Sequence, residues 1–168
     1  MIANRRYIPK DKLGHYVTSR KQYYCANLSE LVMQVKKGRE SLVKRAAARL
    51  NLFYDQVFID EFQDFREHDF DLIMELTKHL NNVLLVGDYY QHSVSGTNNS
   101  GKPFKIQKNE VCYADFIAML KNAGFNVDEA TLRKSRRCTA SVCDYVKFKL
   151  GIQIESASKK EGTVIWCD

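Results

Sequence analysis

The sequence predicts an α/β domain built on parallel strands. Two segments and the spacing between them carry that prediction. Val57-Phe58-Ile59-Asp60-Glu61-Phe62-Gln63-Asp64 and Val83-Leu84-Leu85-Val86-Gly87-Asp88-Tyr89-Tyr90-Gln91 are short apolar runs, and each delivers polar residues at its C-terminal end. Buried parallel strands read this way, and open α/β sheets gather their ligand-binding groups at that rim. Between the two runs, residues 68–80 set Phe70, Ile73, Met74, Thr77 and Leu80 on one helical face. Strand, helix and strand at this spacing fit a right-handed parallel crossover.

The elements follow in order. Residues 1–27 form a basic segment, rich in tyrosine (Tyr7, Tyr16, Tyr23, Tyr24) and without clear period. Asn27-Leu28-Ser29-Glu30 resembles a capped helix start. Leu31, Val32, Val35, Leu42, Val43, Ala46, Ala47 and Leu50 continue at helical spacing, and Gly38 divides the run into two helices. A strand over 56–60, the helix over 68–80 and a strand over 83–87 come next, with Asn81-Asn82 as a turn. Residues 93–110 are polar and turn-rich and read as a long surface loop with room for a short hairpin. A helix from Tyr113 to Asn122 is closed by Gly124. A short strand near Glu129–Leu132 precedes a helix over about Thr139–Leu150, closed by Gly151. The final run, Thr163-Val164-Ile165-Trp166-Cys167, has strand character, which suggests that the natural polypeptide continues.

Composition narrows the class. A chain of 168 residues with 45% apolar content fits one globular domain. No apolar run approaches the length that spans a bilayer, and Met1-Ile2-Ala3-Asn4-Arg5-Arg6 opens no signal region. A cytoplasmic setting is expected, with nuclear and viral ones left open. The five cysteines are scattered and form no Cys-x-x-Cys pair, and the four histidines complete no zinc spacing. Free cysteines of the core or strands are therefore expected. The net charge of +6 is unevenly spread. Residues 1–50 carry a net +9, residues 51–90 a net −7 and residues 91–168 a net +4. The acidic block coincides with the strand ends and suits a cation; the basic flanks suit nucleic-acid phosphates.

Adjacent Asp60 and Glu61 at a strand end suit a Mg²⁺ ligand beside a base for an attacking water. Gln91, at the end of the neighbouring strand, is placed to sense the phosphate being cleaved. The plain structural alternative is an acidic helix N-terminus stabilised by the helix dipole. Against it, the apolar strand, the adjacent acids, the following Gln-Asp and a second strand ending in Gly-Asp-x-x-Gln all agree.

These segments resemble superfamily 1 helicases of the UvrD/Rep type. Asp60-Glu61-Phe62-Gln63-Asp64 is similar to that family's Walker B motif, Asp-Glu-x-Gln-Asp. Gly87-Asp88-Tyr89-Tyr90-Gln91 is similar to its third motif, Gly-Asp-x-x-Gln. Leu132-Arg133-Lys134-Ser135-Arg136-Arg137-Cys138 falls where the family has Leu-x-x-Asn-Tyr-Arg-Ser, with Arg137 at the arginine. The resemblance runs from about Arg45 to Gly151. It implies an incomplete RecA-like P-loop NTPase-type domain of three layers with a mainly parallel sheet, the later half of a first motor domain, over residues 28–168. It also implies ATP and Mg²⁺ as cofactors. Asp60 would hold the metal, Glu61 would polarise the attacking water and Gln91 would contact the γ-phosphate. Arg137 would stabilise developing charge. Gln63 and Asp64, with Asp88, would face the nucleotide and link the site to neighbouring motifs. The implied partners are single-stranded or partly duplex DNA, with RNA left open, and the remaining helicase domains or a helicase partner. No membrane is implied.

Two departures matter. The family stacks bases on aromatics after its third motif, where this chain has His92-Ser93-Val94-Ser95-Gly96; Tyr89 and Tyr90 are the nearby aromatics, expected as packing residues. Residues 1–55 also contain no Gly-x-x-x-x-Gly-Lys-Thr/Ser loop. Gly96-Thr97-Asn98-Asn99-Ser100-Gly101-Lys102-Pro103 has its spacing, but Pro103 stands where a hydroxyl would bind Mg²⁺, and no helix start follows. The expectation is therefore a helicase part that hydrolyses ATP poorly alone. The alternative is a stand-alone, catalytically inactive helicase-like module that binds nucleic acid or a helicase partner. A nuclease is a weaker third reading, since it leaves Gln91 unused.

Overall fold

The computed structural model describes residues 8–37, 40–92, 101–107 and 109–165. The chain divides into two compact units, Met1–Phe116 and Ile117–Asp168.

In the first unit the N-terminal segment is tied down. Two 3-10 turns, Leu13–His15 and Cys25–Asn27, flank a bridge between Val17 and Tyr23. Tyr16 is buried, and its hydroxyl donates to Gln34 Oε1 at 3.2 Å. Helix α1 (Leu28–Gln34) begins where Asn27 was expected to cap it. Asn27 instead donates its side-chain amide to the His15 carbonyl at 2.6 Å. Glu30 is likewise drawn away, buried against Lys10 Nζ at 2.5 Å, with His15 and His68 on its other sides at 3.5 and 3.6 Å. Tertiary partners have displaced the capping box. Between the helices lies a two-stranded antiparallel hairpin, β1 (Lys36–Lys37) and β2 (Glu40–Ser41); Gly38, the expected breaker, is outside the described residues. Ser41 then caps α2 (Leu42–Phe53), accepting from the Lys44 N–H at 3.2 Å. Of its expected inner face, Val43 and Ala47 are buried, but Ala46 is exposed.

Strand β3 (Val57–Ile59), helix α3 (Glu67–Thr77) and strand β4 (Val83–Leu85) form the expected crossover. β3 and β4 run parallel, with Val57 beside Val83, Phe58 beside Leu84 and Ile59 beside Leu85. Asn51 of α2 locks the turn into β4, donating to the His79 carbonyl at 2.8 Å and accepting from the Asn81 N–H at 3.0 Å. α1, α2 and α3 pack on one another. The strands were expected to be buried on both faces. They alternate instead: Val57, Ile59, Val83 and Leu85 are half-buried, whereas Phe58 and Leu84 are 66% and 44% exposed. Parallel sheets elsewhere are covered on both faces; this pair leaves one face bare. The wide, mainly parallel sheet is thus reduced, among the described residues, to two-stranded sheets, of which β3–β4 and a pair in the second unit are parallel.

The loop after β4 carries the hairpin for which the sequence left room, β5 (Lys105–Ile106) and β6 (Asn109–Glu110). Helix α4 (Tyr113–Asn122) follows. Gly124 closes it at φ +94°, and the Phe125 N–H donates to the Leu120 carbonyl at 3.1 Å.

In the second unit the strand expected near Glu129–Leu132 is a 3-10 turn, Thr131–Arg133. Asp128 is the cause. Its Oδ1 accepts from the Ala130 and Thr131 N–H groups at 2.7 and 3.0 Å, and its Oδ2 accepts from the Thr131 hydroxyl. These donors lower its pKa to about 2, the Thr131 hydroxyl foremost. Strand β7 (Lys134–Ser135) then pairs parallel with β8 (Glu155–Ser156), on either side of α5 (Ala140–Leu150). Gly151 ends α5 at φ +68°, as expected. Residues 163–165 lie outside any strand; there the Ser141 hydroxyl holds the Gly162 carbonyl, and the rest of the expected strand is outside the described residues. Four cysteines are described and all are free, yet Cys25 and Cys112 are exposed rather than in the core. Among the described residues no helix is long and apolar enough to cross a membrane.

Candidate functional site

The parallel pair continues past its last strand residues. The Val86 N–H donates to the Ile59 carbonyl at 2.8 Å, and the Phe62 N–H donates to the Val86 carbonyl at 2.9 Å. These bonds hold the two C-terminal ends side by side. Asp60 and Glu61 emerge from β3, and Gly87 and Asp88 from β4.

Glu61 adopts a left-handed backbone, φ +50° and ψ +43°. That region costs an L-residue with a long side chain about 1–2 kcal/mol. The turn is kept because its neighbours are fixed. Asp60 Oδ1 accepts from the Glu61 N–H at 2.9 Å, and the Asp64 N–H donates to the Glu61 carbonyl at 2.8 Å. Phe62 is buried, with the rings of Phe65 and Phe70 at 6.4 and 5.8 Å. Non-glycine residues held at such angles cluster at functional sites.

A chain of side-chain hydrogen bonds crosses from one strand end to the other. Gln63, 3% exposed, donates through Nε2 to Glu61 Oε2 at 2.5 Å and accepts through Oε1 from the Asp88 N–H at 2.9 Å. Asp88 Oδ2 accepts from Gln91 Nε2 at 3.0 Å, while its Oδ1 accepts from the Tyr90 N–H at 2.9 Å. Glu61, Gln63, Asp88 and Gln91 are therefore one connected set. Gly87 makes the close approach possible: a Cβ there would stand 2.7 Å from Gln63 Oε1. Asp60, Glu61, Asp88 and Gln91 are all exposed, as their use on a ligand requires. Asp64 is exposed beside them, and its charge acts on Arg66.

Beneath Gln91 lies an aromatic cluster that sequence reasoning missed. Tyr89 packs on His92, Phe104, Tyr113 and Phe116, with ring centroids 4.7–5.8 Å away, and its hydroxyl donates to the Val111 carbonyl at 2.6 Å. Burial raises its pKa. Arg66, just before α3, sits 4.7 Å over the Phe104 ring and donates to the His92 carbonyl. Burial lowers the guanidinium's pKa, with Asp64 opposing. Tyr89 is thus the packing residue expected, and it anchors the 3-10 turn Tyr89–Gln91 that presents Gln91.

Two further sequence matches remain, one in the loop after β4 and one in the second unit. Of the Gly96–Pro103 stretch, residues 96–100 are outside the described residues; Gly101, Lys102 and Pro103 form a turn leading into β5, not a helix start. Arg137 belongs to the second unit, where it is exposed ahead of α5 and its N–H donates to Ser135 Oγ at 3.3 Å.

Among the described residues no group of three or more His, Cys, Asp or Glu side chains is gathered for a metal. The donor set nevertheless fits Mg²⁺, which takes one or two protein carboxylates and completes its shell with water and phosphate oxygens. Asp60 and Glu61 supply that number at an exposed strand end.

A family model for the UvrD/REP helicase N-terminal domain matches residues 3–93. The match takes in both strand ends and stops short of Arg137. No curated protein matches the chain. Since the matched span is more than half of the 168 residues, the chain belongs to the UvrD/REP helicase N-terminal domain family, which has a RecA-like α/β fold.

Proposed function

We propose that this chain supplies the Mg²⁺–ATP hydrolysis face of an ATP-dependent DNA helicase or translocase. The observation that carries the reading is the hydrogen-bonded path Glu61–Gln63–Asp88–Gln91 across two parallel strand ends. Phosphoryl transfer needs charge neutralisation and an oriented water more than covalent chemistry. Mg²⁺ held there would neutralise charge on the triphosphate. Asp60 is the metal ligand in this reading, and Glu61 accepts a proton from the attacking water. Gln91 reads the γ-phosphate, and its bond to Asp88 transmits that state through Gln63 to Glu61. Gln63 is a positioning residue: it fixes the Glu61 carboxylate without itself meeting the ligand. Arg137 is assigned charge stabilisation by its motif alone.

Calorimetric titration with Mg²⁺–ATP tests the reading. Wild type should bind, Asp60→Ala should not, and Glu61→Gln should bind about as well as wild type. Binding that survives Asp60→Ala would overturn the metal assignment. One observation favours the alternative, a catalytically inactive module that binds nucleic acid or a helicase partner: residues 1–55 hold no phosphate-binding glycine loop. Failure of wild type to bind Mg²⁺–ATP at all would select it.

A further inference from the structure

We propose that the outward face of α2 binds the phosphate backbone of duplex DNA through Lys44, Arg45 and Arg49, a contact that stands independently of the strand-end reading. Residues 36–49 hold Lys36, Lys37, Arg39, Lys44, Arg45 and Arg49 against the single acid Glu40. Val43 and Ala47 of α2 are buried, whereas Lys44, Arg45 and Arg49 are exposed, with Ala46 and Ala48 exposed between them. Lys36, also exposed, pairs across the hairpin with the cap residue Ser41, so the basic surface continues past the start of the helix.

Folding alone does not account for these charges. A helix is stabilised by acids in its first turn and cations in its last. The other helices follow this rule at one end or both: Glu30 opens α1, Glu67 and Asp69 open α3, Asp115 opens α4 and Lys121 closes it, and Lys147 and Lys149 close α5. In α2 the first turn holds no acid and the last turn no base. Lys44 and Arg45 instead sit at the positive end of the helix, and Arg45 and Arg49 are like charges four residues apart, which repel. The described ion pairs engage other lysines, and among the described residues no carboxylate pairs with Lys44, Arg45 or Arg49. Arg49 lies 5.9 Å from the Phe53 ring centroid. Local rules broken at one place in an otherwise consistent fold mark a functional surface.

The shape of the face chooses the ligand. A helix is stiff and convex, and its charged stripe advances by about 6 Å per four residues. Single strands are held in grooves, on aromatic side chains that stack their bases; only alanine lies between Arg45 and Arg49. A duplex offers a rigid ridge with one charge per about 1.7 Å of its axis, against about 3.4 Å for either strand alone. The small alanines let that ridge come close. Asn51, the one side-chain amide of α2, is taken by the turn into β4. The contact therefore positions a duplex without reading its sequence.

The test is binding to the whole chain of a short fluorescein-labelled duplex and of oligo(dT) of the same length, read by anisotropy over a series of salt concentrations. Wild type is compared with a neutral variant, Lys44→Gln with Arg45→Gln and Arg49→Gln, and with a charge-keeping one, Lys44→Arg with Arg45→Lys and Arg49→Lys. Wild type should bind duplex more tightly than oligo(dT). The neutral variant should lower the slope of log affinity against log salt by about 0.9 for each cation removed, about 2.7 in all, and weaken duplex binding at low salt by at least about tenfold. The charge-keeping variant should retain the wild-type slope. Urea unfolding should show the neutral variant no less stable than wild type, because its cations were ill placed for the helix; a clear loss of stability would show that the charges serve the fold and would overturn the proposal. An unchanged slope in the neutral variant, or tighter binding of oligo(dT) than of duplex by wild type, would also overturn it. So would failure of wild type to bind duplex at all, which would point to an acidic protein surface as the occupant. Asp60→Ala should leave the duplex slope unchanged, so failure of the Mg²⁺–ATP reading leaves this surface standing, and failure here leaves that reading untouched.

Discussion

Replacing Gln63 with leucine tests the bridge between the strand ends. Leucine keeps nearly the same volume, so the change removes two hydrogen bonds without opening a large cavity. One bond goes to the Glu61 carboxylate at 2.5 Å, the other comes from the Asp88 N–H at 2.9 Å. A bond to a charged partner contributes about 1.5–3 kcal/mol and a neutral one about 0.5–1.5 kcal/mol. Gln63 is almost fully buried, so solvent cannot replace its bond from Asp88. The expected loss is about 2–4 kcal/mol, a large share of the 5–15 kcal/mol typical of a domain. Urea unfolding followed by circular dichroism should show the midpoint falling by about 1–2 M at an unchanged slope. Pairing the change with Glu61→Ala separates the two bonds: the double variant should lose clearly less than the sum of the singles, because both remove one interaction. A loss below about 0.5 kcal/mol, or full additivity, would refute the bridge.

Gly87→Ala should cost about 1–3 kcal/mol in the same assay, because its Cβ would meet Gln63 Oε1 at 2.7 Å and Gln63 is pinned at both ends; wild-type stability would show that the strand ends have more room. Glu30 makes stability depend on pH. The Lys10 ammonium, with His68 and His15, holds its pKa below the ordinary 4.5 against the cost of burial. The folded state therefore binds fewer protons than the unfolded one. Its stabilisation is present above the ordinary value and is lost as pH falls through the folded value. Glu30→Gln should flatten that part of the urea midpoint against pH between about pH 6 and 3, and an unchanged profile would contradict the assignment. The isolated chain should turn over ATP negligibly with or without DNA, since no phosphate-binding glycine loop precedes the acidic pair; brisk DNA-stimulated release of phosphate would refute this.

The parallel crossover was legible because its signals are local: two apolar runs, a helical face between them, and polar groups at each end. The placement of the acid pair and Gln91 at neighbouring strand ends was readable for the same reason, and so was the C-terminal glycine of α5. What could not be read depends on partners distant in sequence. Asn27 and Glu30 carry the letters of a capping box, yet His15, Lys10 and His68 take their side chains. Asp128 turns its own backbone through short-range bonds, an alternative to the strand expected near Glu129–Leu132. The bare face of Phe58 and Leu84 was hidden because three-residue strands show too little alternation. The stacking of Tyr90 on Tyr113 joins residues 23 positions apart across a loop of no regular pattern.

In the proposed reaction the acidic pair and Gln91 face the same metal–triphosphate. Paramagnetic broadening tests it most directly, with Mn²⁺ in place of Mg²⁺ and the chain ¹⁵N-labelled. On adding Mn²⁺ and ATP together, the side-chain amide signals of Gln91 and Gln63 should broaden first, and Asp60→Ala should abolish the effect. Broadening confined to other acidic surfaces, with both amide signals left sharp, would contradict the claim.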